Sequence, residues 1–257
     1  MHQIPFLDRT ALLLGEEALE RIKTAKVAIF GLGGVGSWCA ESLVRTGIGE
    51  LMIVDSDRVA ASNINRQLMA TRKTVGQIKV EALAQRLLEI NPEIKLDIRS
   101  EVYNTASSAS FRLDRFDYVI DAIDSLSEKA SLIRHALSIP SVTLFASMGA
   151  ARKLDPFQIH ASEFRKIAGD ALARALRQKF KRTGGLPARK FTCVWSPEQR
   201  ENLGKIAIPD HDDTWSARKA CPNGSVAHTT AIFGFSLAGL VVRHRIEALE
   251  KTETCQP

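Results

Sequence analysis

The 257-residue sequence has no cysteine pair spaced to share a metal ion. Its four cysteines, Cys39, Cys193, Cys221 and Cys255, form no C-x-x-C motif. That argues against a structural zinc site and against the disulfide framework of a small secreted domain. A reducing cytosol suits such a chain, and a cytoplasmic location is expected. Long apolar runs are also missing. The best membrane candidate, "TTAIFGFSLAGLVV" (229–242), is shorter than the roughly 20 apolar residues a bilayer requires, so no membrane span is expected. It reads as a buried helix, in the core or at a subunit contact. The opening "MHQIPFLDRT" lacks the apolar stretch of a signal peptide. No repeat and no low-complexity tract interrupts the chain.

Acid is scarce in one segment. Between Ala161 and Lys190 nine Lys/Arg stand against only Glu163 and Asp170, while the whole chain carries a net charge of +6. The basic character therefore belongs to that segment, and it points to an acidic partner.

The first 145 residues alternate between short apolar strands and helical patterns. Strands are expected at 26–30, 51–54, 95–100, 118–122 and 142–146, and helices at about 34–46, 76–90 and 126–137. This is the pattern of a Rossmann-like α/β fold, a doubly wound and mostly parallel sheet with right-handed crossovers. A helix at about 9–22 precedes it. The expected organisation is a single domain: an N-terminal helical segment (1–25), a nucleotide-binding core (26–150) and a C-terminal part (151–257) of mixed strands and helices. In that last part the pattern predicts a strand at 190–196 and a helix over 162–182. Ser162 would cap this helix, with Phe164, Ala168, Leu172, Leu176 and Phe180 as its apolar stripe. Periodicity does not explain 197–224.

Ligands on such sheets bind beyond the carboxyl ends of the strands. Gly31, Gly33 and Gly36, with Gly34 between them, follow the first strand in G-x-G-x-x-G spacing and open a helix. Glycine allows close approach to a phosphate, and the helix N-terminus offers free N–H groups. Asp55, nineteen residues after Gly36, would bind ribose hydroxyls. A nicotinamide enzyme needs few further charges here, yet "DSDRVAASNINRQ" (55–67) supplies Asp57, Asn63, Arg66 and Gln67, and Lys79 and Asp124 follow. Such groups suit a triphosphate whose charge is neutralised by Arg, Lys and a carboxylate-held Mg²⁺. Asp57 could equally cap its own loop. Asp121 could satisfy backbone N–H groups, which leaves Asp124 as the favoured metal ligand.

"GLGGVGSW", "DSDRVAASNINRQ", "VGQIK" (75–79), "INPEIKL" (90–96) and "VIDAIDS" (119–125) resemble, in this order and spacing, the ThiF/MoeB/HesA family of ubiquitin-activating-like adenylating enzymes. The resemblance covers roughly Asp8 to Ala146. It implies ATP and Mg²⁺ as cofactors, with Asp55 on the ribose and Asp57 close by. It also implies Asn63, Arg66 and Gln67 along the phosphates, Lys79 neutralising them and Asp124 on the metal. Arg9 matches an arginine that reaches into the partner's site, so a homodimer is implied. A cysteine desulfurase or sulfur acceptor is a further partner implied by the family.

"RTALLLGEEAL", "VIDAIDSLSEKASLI", "LDPFQIHASEF" and an apolar helix after "NGS" resemble the branch that dehydrates threonylcarbamoyladenosine in tRNA. That likeness extends over most of the chain and weakens between about 195 and 220. It implies adenylation of the threonyl carboxylate and ring closure with loss of AMP. The basic segment suits the same substrate, with Arg165, Lys166, Arg174, Arg177, Lys179, Lys181 and Arg182 as candidate contacts to tRNA phosphates. The competing expectation is activation of a ubiquitin-like sulfur carrier at its C-terminal Gly-Gly. Cys193 and Cys221 are the candidate nucleophiles for such chemistry, or simply a buried strand thiol and a loop thiol.

Overall fold

The computed structural model describes residues 5–204 and 223–253, apart from the side chains of 248–253. Five strands are parallel: β1 (Lys26–Phe30), β2 (Glu50–Val54), β3 (Lys95–Arg99), β4 (Tyr118–Asp121) and β5 (Thr143–Ser147). β6 (His160–Glu163) forms the far edge, antiparallel to β7 (Thr192–Trp195), and β7 runs parallel to β5. The sheet order is β3-β2-β1-β4-β5-β7-β6. One mostly parallel α/β sheet thus takes strands from both sides of residue 150.

The strands are apolar because both faces are covered. Side chains alternate between the faces with a period of two. Val27, Ile29, Leu51 and Ile53 join one core with α3 (Gly36–Thr46), α4 (Lys79–Ile90) and α7 (Ala227–Glu253). Ala28, Phe30, Met52 and Val54 join another with α5 (Leu126–Ser138) and α6 (Ala171–Arg182). The expected 229–242 helix is the apolar centre of α7. Among the described residues, no helix is long and apolar enough to cross a membrane.

Two expectations are corrected. The N-terminal helix is two pieces, α1 (Asp8–Leu14) and α2 (Glu16–Thr24), because Gly15 between them turns the chain at φ 83°. The basic helix begins at Ala171, not near Ser162. Ser162 pairs with Cys193 in the β6–β7 ladder, and Trp195 Nε1 donates to its Oγ at 2.8 Å. A 3-10 turn (Phe164–Lys166) and Gly169 at φ 86° follow. Asp170 then caps α6, its carboxylate accepting from the Ala173 N–H at 2.8 Å. Phe164 is buried through its own turn and Ala168 is exposed, so the stripe of α6 is Ala173, Leu176 and Phe180.

Candidate functional site

The sheet order reverses between β1 and β4, where a doubly wound sheet opens a crevice for ligands. The loops leaving these two strands touch. Gly31 sits at φ 87°, and a Cβ there would lie 2.6 Å from the Ala122 carbonyl oxygen; a Cβ on Gly36 would lie 1.9 Å from the Gly31 oxygen. A side chain at Gly31 would push the two loops apart, and one at Gly36 would break the glycine turn itself. Gly34 faces Thr230 at the start of α7. α3 therefore begins with its N-terminal N–H groups at the crevice, a ready anion site.

The loop after β2 forms one wall. Asp55 accepts from the Leu32 N–H at 2.7 Å and from the Asp57 N–H at 2.9 Å. Each carboxylate oxygen retains a second lone pair. Lys79 opens α4, held by the antiparallel bridge of Arg58 with Ile78 and by its own N–H donating to the Asp57 carbonyl. It is not a solvated helix-start lysine. Its side chain is 6% exposed, with Nζ 2.8 Å from Asp57 Oδ2 and 3.9 Å from Asp55 Oδ1. Asp57 is the exposed member of that pair, at 69%.

Asn63 closes the loop by accepting from the Ala60 N–H, and its carbonyl receives the N–H groups of Arg66 and Gln67. The Arg66 guanidinium donates to the Ser62 carbonyl and Asn65 Oδ1, both at 2.9 Å. Burial lowers its pKa from the usual value, and the nearby Asp124 charge opposes that shift. Gln67 is buried beside Gly33, and its Oε1 has no hydrogen-bond partner among the described residues.

The loop after β4 forms the other wall, with Asp124 exposed. Among the described residues no three acidic, His or Cys side chains cluster as a metal cage. A single carboxylate beside a glycine turn is a fitting ligand for Mg²⁺, which takes few protein ligands and keeps much of its hydration. Beneath Asp124, Asp121 and Lys129 are fully buried, with Lys129 Nζ 3.0 Å from Asp121 Oδ2. Burial raises the Asp121 pKa, while Lys129 and the Ile123 N–H pull it back.

The structure thus gathers Gly31, Gly33, Gly34, Gly36, Asp55, Asp57, Asn63, Arg66, Gln67, Lys79 and Asp124 around one crevice. Arg9 is exposed on α1, outside it. The basic set divides. Arg165 donates to the Pro187 carbonyl at 2.7 Å, Arg177 lies over the Phe164 ring, and Lys179 donates to Ser127. Lys166, Arg174, Lys181 and Arg182 are exposed. Cys39 and Cys193 are fully buried and burial raises both thiol pKa values, so neither is poised as a nucleophile. Cys221 lies outside the described residues.

The ThiF family profile matches residues 7–254. The chain belongs to the ThiF family. Within it, the chain is 38% identical over 244 residues to the tRNA threonylcarbamoyladenosine dehydratase of Escherichia coli strain K12, covering 88% of each chain. It is 34% identical over 254 residues to the enzyme of that name from Bacillus subtilis strain 168, covering 97% of each. The crystal structure of the E. coli dehydratase TcdA in complex with ATP matches with a TM-score of 0.83 and 32% identity over 95% of both chains.

Sequence reasoning missed several parts of this ThiF-family site. Asn65 Nδ2 donates to the Ser225 carbonyl at 2.8 Å and ties the β2 loop to the entry of α7. Trp38 Nε1 donates to the Arg66 carbonyl at 3.0 Å. Lys129 was overlooked although a signal existed: it sits in the apolar stripe of α5, between Leu126 and Ile133, where a charge needs a partner.

Proposed function

We propose that this chain is an ATP-dependent tRNA threonylcarbamoyladenosine dehydratase. The carrying observation is a likeness to enzymes of that name through both the nucleotide core and the C-terminal part. The ionised threonyl carboxylate attacks the α-phosphorus of ATP and expels pyrophosphate, which gives an acyl adenylate. A nucleophile of the same modified nucleoside then attacks the acyl carbon, closes a ring and releases AMP. The carboxylate needs no general base, so the protein's task is positioning and charge stabilisation.

Asp55 holds the ribose hydroxyls. Asn63, Arg66 and Gln67 line the phosphates, with the unpartnered Gln67 Oε1 available to a ligand donor. Lys79 exchanges the exposed Asp57 carboxylate for phosphate oxygens. Asp124 would hold Mg²⁺, which would supply positive charge to offset that of the phosphates. Intramolecular ring closure requires no catalytic cysteine, in keeping with the buried Cys39 and Cys193.

The exposed Lys166, Arg174, Lys181 and Arg182 contact tRNA phosphates, and Arg165, Arg177 and Lys179 add to the field from anchored positions. The enzyme works as a homodimer in the cytoplasm. α1 has no buried residue and presents Leu12 and Leu13 at 87% and 82% exposure, an apolar face for a second copy, with Arg9 directed to the partner's site.

The test is incubation with tRNA carrying threonylcarbamoyladenosine, ATP and Mg²⁺. Nucleoside mass spectrometry should show loss of one water, with AMP and pyrophosphate formed alongside. Pyrophosphate exchange stimulated by a Gly-Gly carrier protein, and not by the modified tRNA, would overturn the reading.

A further inference from the structure

Asp121 and Lys129 have no reason to persist on stability grounds alone. A buried ion pair can often be replaced by apolar residues without loss of stability, since desolvation offsets the attraction. Both side chains here are 0% exposed, so their contacts must supply the reason. Among the described residues, the polar contacts of Lys129 Nζ fall on the last residue of β4 and on the turn that follows it. It donates to the Ile123 carbonyl at 3.0 Å, reaches the Asp121 carbonyl at 3.5 Å and lies 3.0 Å from Asp121 Oδ2. Lys129 and Asp121 Oδ2 thus form a buried ion pair. Asp121 Oδ1 accepts from the Ile123 N–H at 3.1 Å. Ile123 is therefore held at both its N–H and its carbonyl.

The next residue is Asp124, and the preceding one, Ala122, presents the carbonyl against which Gly31 packs. α5 closes the arrangement from its own start. The Lys129 N–H donates to the Ser125 carbonyl, and the Ser125 hydroxyl bonds Glu128. A turn of four residues, Ala122–Ser125, is thus gripped from beneath by one ammonium and one carboxylate. Its upper side meets the glycine turn and carries Asp124 toward Arg66.

We propose that Lys129 and Asp121 are a positioning pair that sets the Asp124 loop against the glycine turn, and through it the Mg²⁺ response of the site. The pair is fully buried beneath the loop and acts through Ile123. This rests on the reading of Asp124 as the Mg²⁺ ligand. The loss expected from the pair is geometric, since a displacement of about 1 Å in a reacting group can cost on the order of 100-fold in rate.

The experiment compares the full chain with the Lys129→Met, Lys129→Arg and doubly substituted Lys129→Met/Asp121→Leu variants. The readouts are ATP affinity in EDTA, the Mg²⁺ midpoint for MgATP binding by calorimetry, kcat and KM for AMP formation, and thermal unfolding. Lys129→Met should raise the Mg²⁺ midpoint and lower kcat by about 100-fold, with metal-free ATP affinity unchanged. Lys129→Arg, which keeps the charge and the donors, should recover much of the Mg²⁺ response.

If Lys129→Met fails to fold because it strands a buried carboxylate, the double variant carries the test, since it removes both charges. A folded double variant with a shifted Mg²⁺ midpoint supports the pair; one with wild-type midpoint and kcat overturns it. The binding midpoint needs no tRNA. Wild-type protein that binds MgATP but forms no AMP on modified tRNA would sink the substrate reading and leave this inference still under test.

Discussion

The strand ends and the α6 face both concentrate charge, but they treat it in opposite ways. At the β1–β4 crevice Lys79, Asp55, Asp121 and Lys129 are buried or half-buried and already partnered: Lys79 with Asp57, Asp55 with the Leu32 N–H, Lys129 with Asp121 and the Ile123 carbonyl. Along α6 the outward cations Arg174, Lys181 and Arg182 have no side-chain partner among the described residues and stand in solvent. Charges taken out of water must be paired and aimed, which suits a site where reacting atoms are placed to a fraction of an ångström. Charges left in water cost little, and they suit contact with a polyanion backbone where register is loose. Chemistry is therefore expected to be sensitive at the crevice and binding at the helix.

The largest break in this comparison is Lys79→Ala. It removes the one buried cation beside both Asp55 and Asp57, and AMP formation should fall by about 10³-fold. Affinity for tRNA, measured without ATP, should stay unchanged. Tight loss of tRNA binding in this variant would show that the two regions are not separable. The next break is at the helix. Arg174→Glu, Lys181→Glu and Arg182→Glu together should weaken tRNA binding by about tenfold or more. The slope of log affinity against log salt should drop by about 2, from roughly 0.7 per phosphate contact. ATP-dependent pyrophosphate exchange at saturating tRNA should survive. An unchanged salt slope would move the tRNA footprint off this face.

The two regions were unequally legible in the sequence. The crevice could be read because its residues are fixed by local chain geometry: the glycines precede a helix, Asp55 ends a strand and Lys79 starts the helix after a bridge. The corrections arose where tertiary contacts overrule local pattern. Ser162 is a plausible helix cap by type, yet its backbone is taken by the β6–β7 ladder, and Asp170 caps the helix instead. Phe164 falls in step with the α6 stripe by coincidence of spacing, since Gly169 breaks the helix between them. Asn65 acts on the Ser225 carbonyl, 160 residues away in sequence, which no single-sequence periodicity records. Counting charge between 161 and 190 also overstated the free cations. Arg189 is spent on the Leu137, Ile139 and Val142 carbonyls at the end of α5.

The smallest expected effect sharpens the distinction between spent and free cations. Arg134 on α5 stacks over Phe180 at 5.1 Å, and its Nη2 donates to the Thr183 carbonyl at 3.0 Å and the Gly185 carbonyl at 2.8 Å. It closes the C-terminus of α6, where free carbonyls favour a cation. Lys181, two residues before Thr183, is exposed. Arg134→Met and Lys181→Met each remove one positive charge from the same end of α6, so a long-range field would register them alike. If placement decides, they separate. Arg134→Met should cost about 2 kcal/mol, the order of charged hydrogen bonds lost from a helix end. tRNA affinity should then stay near wild type below the unfolding transition. Lys181→Met should leave stability within about 0.5 kcal/mol and lower the salt slope by about 0.7. Urea unfolding and salt-dependent tRNA binding on the two variants measure both quantities. Equal losses of tRNA affinity would mean that net charge, not exposure, is what the helix contributes.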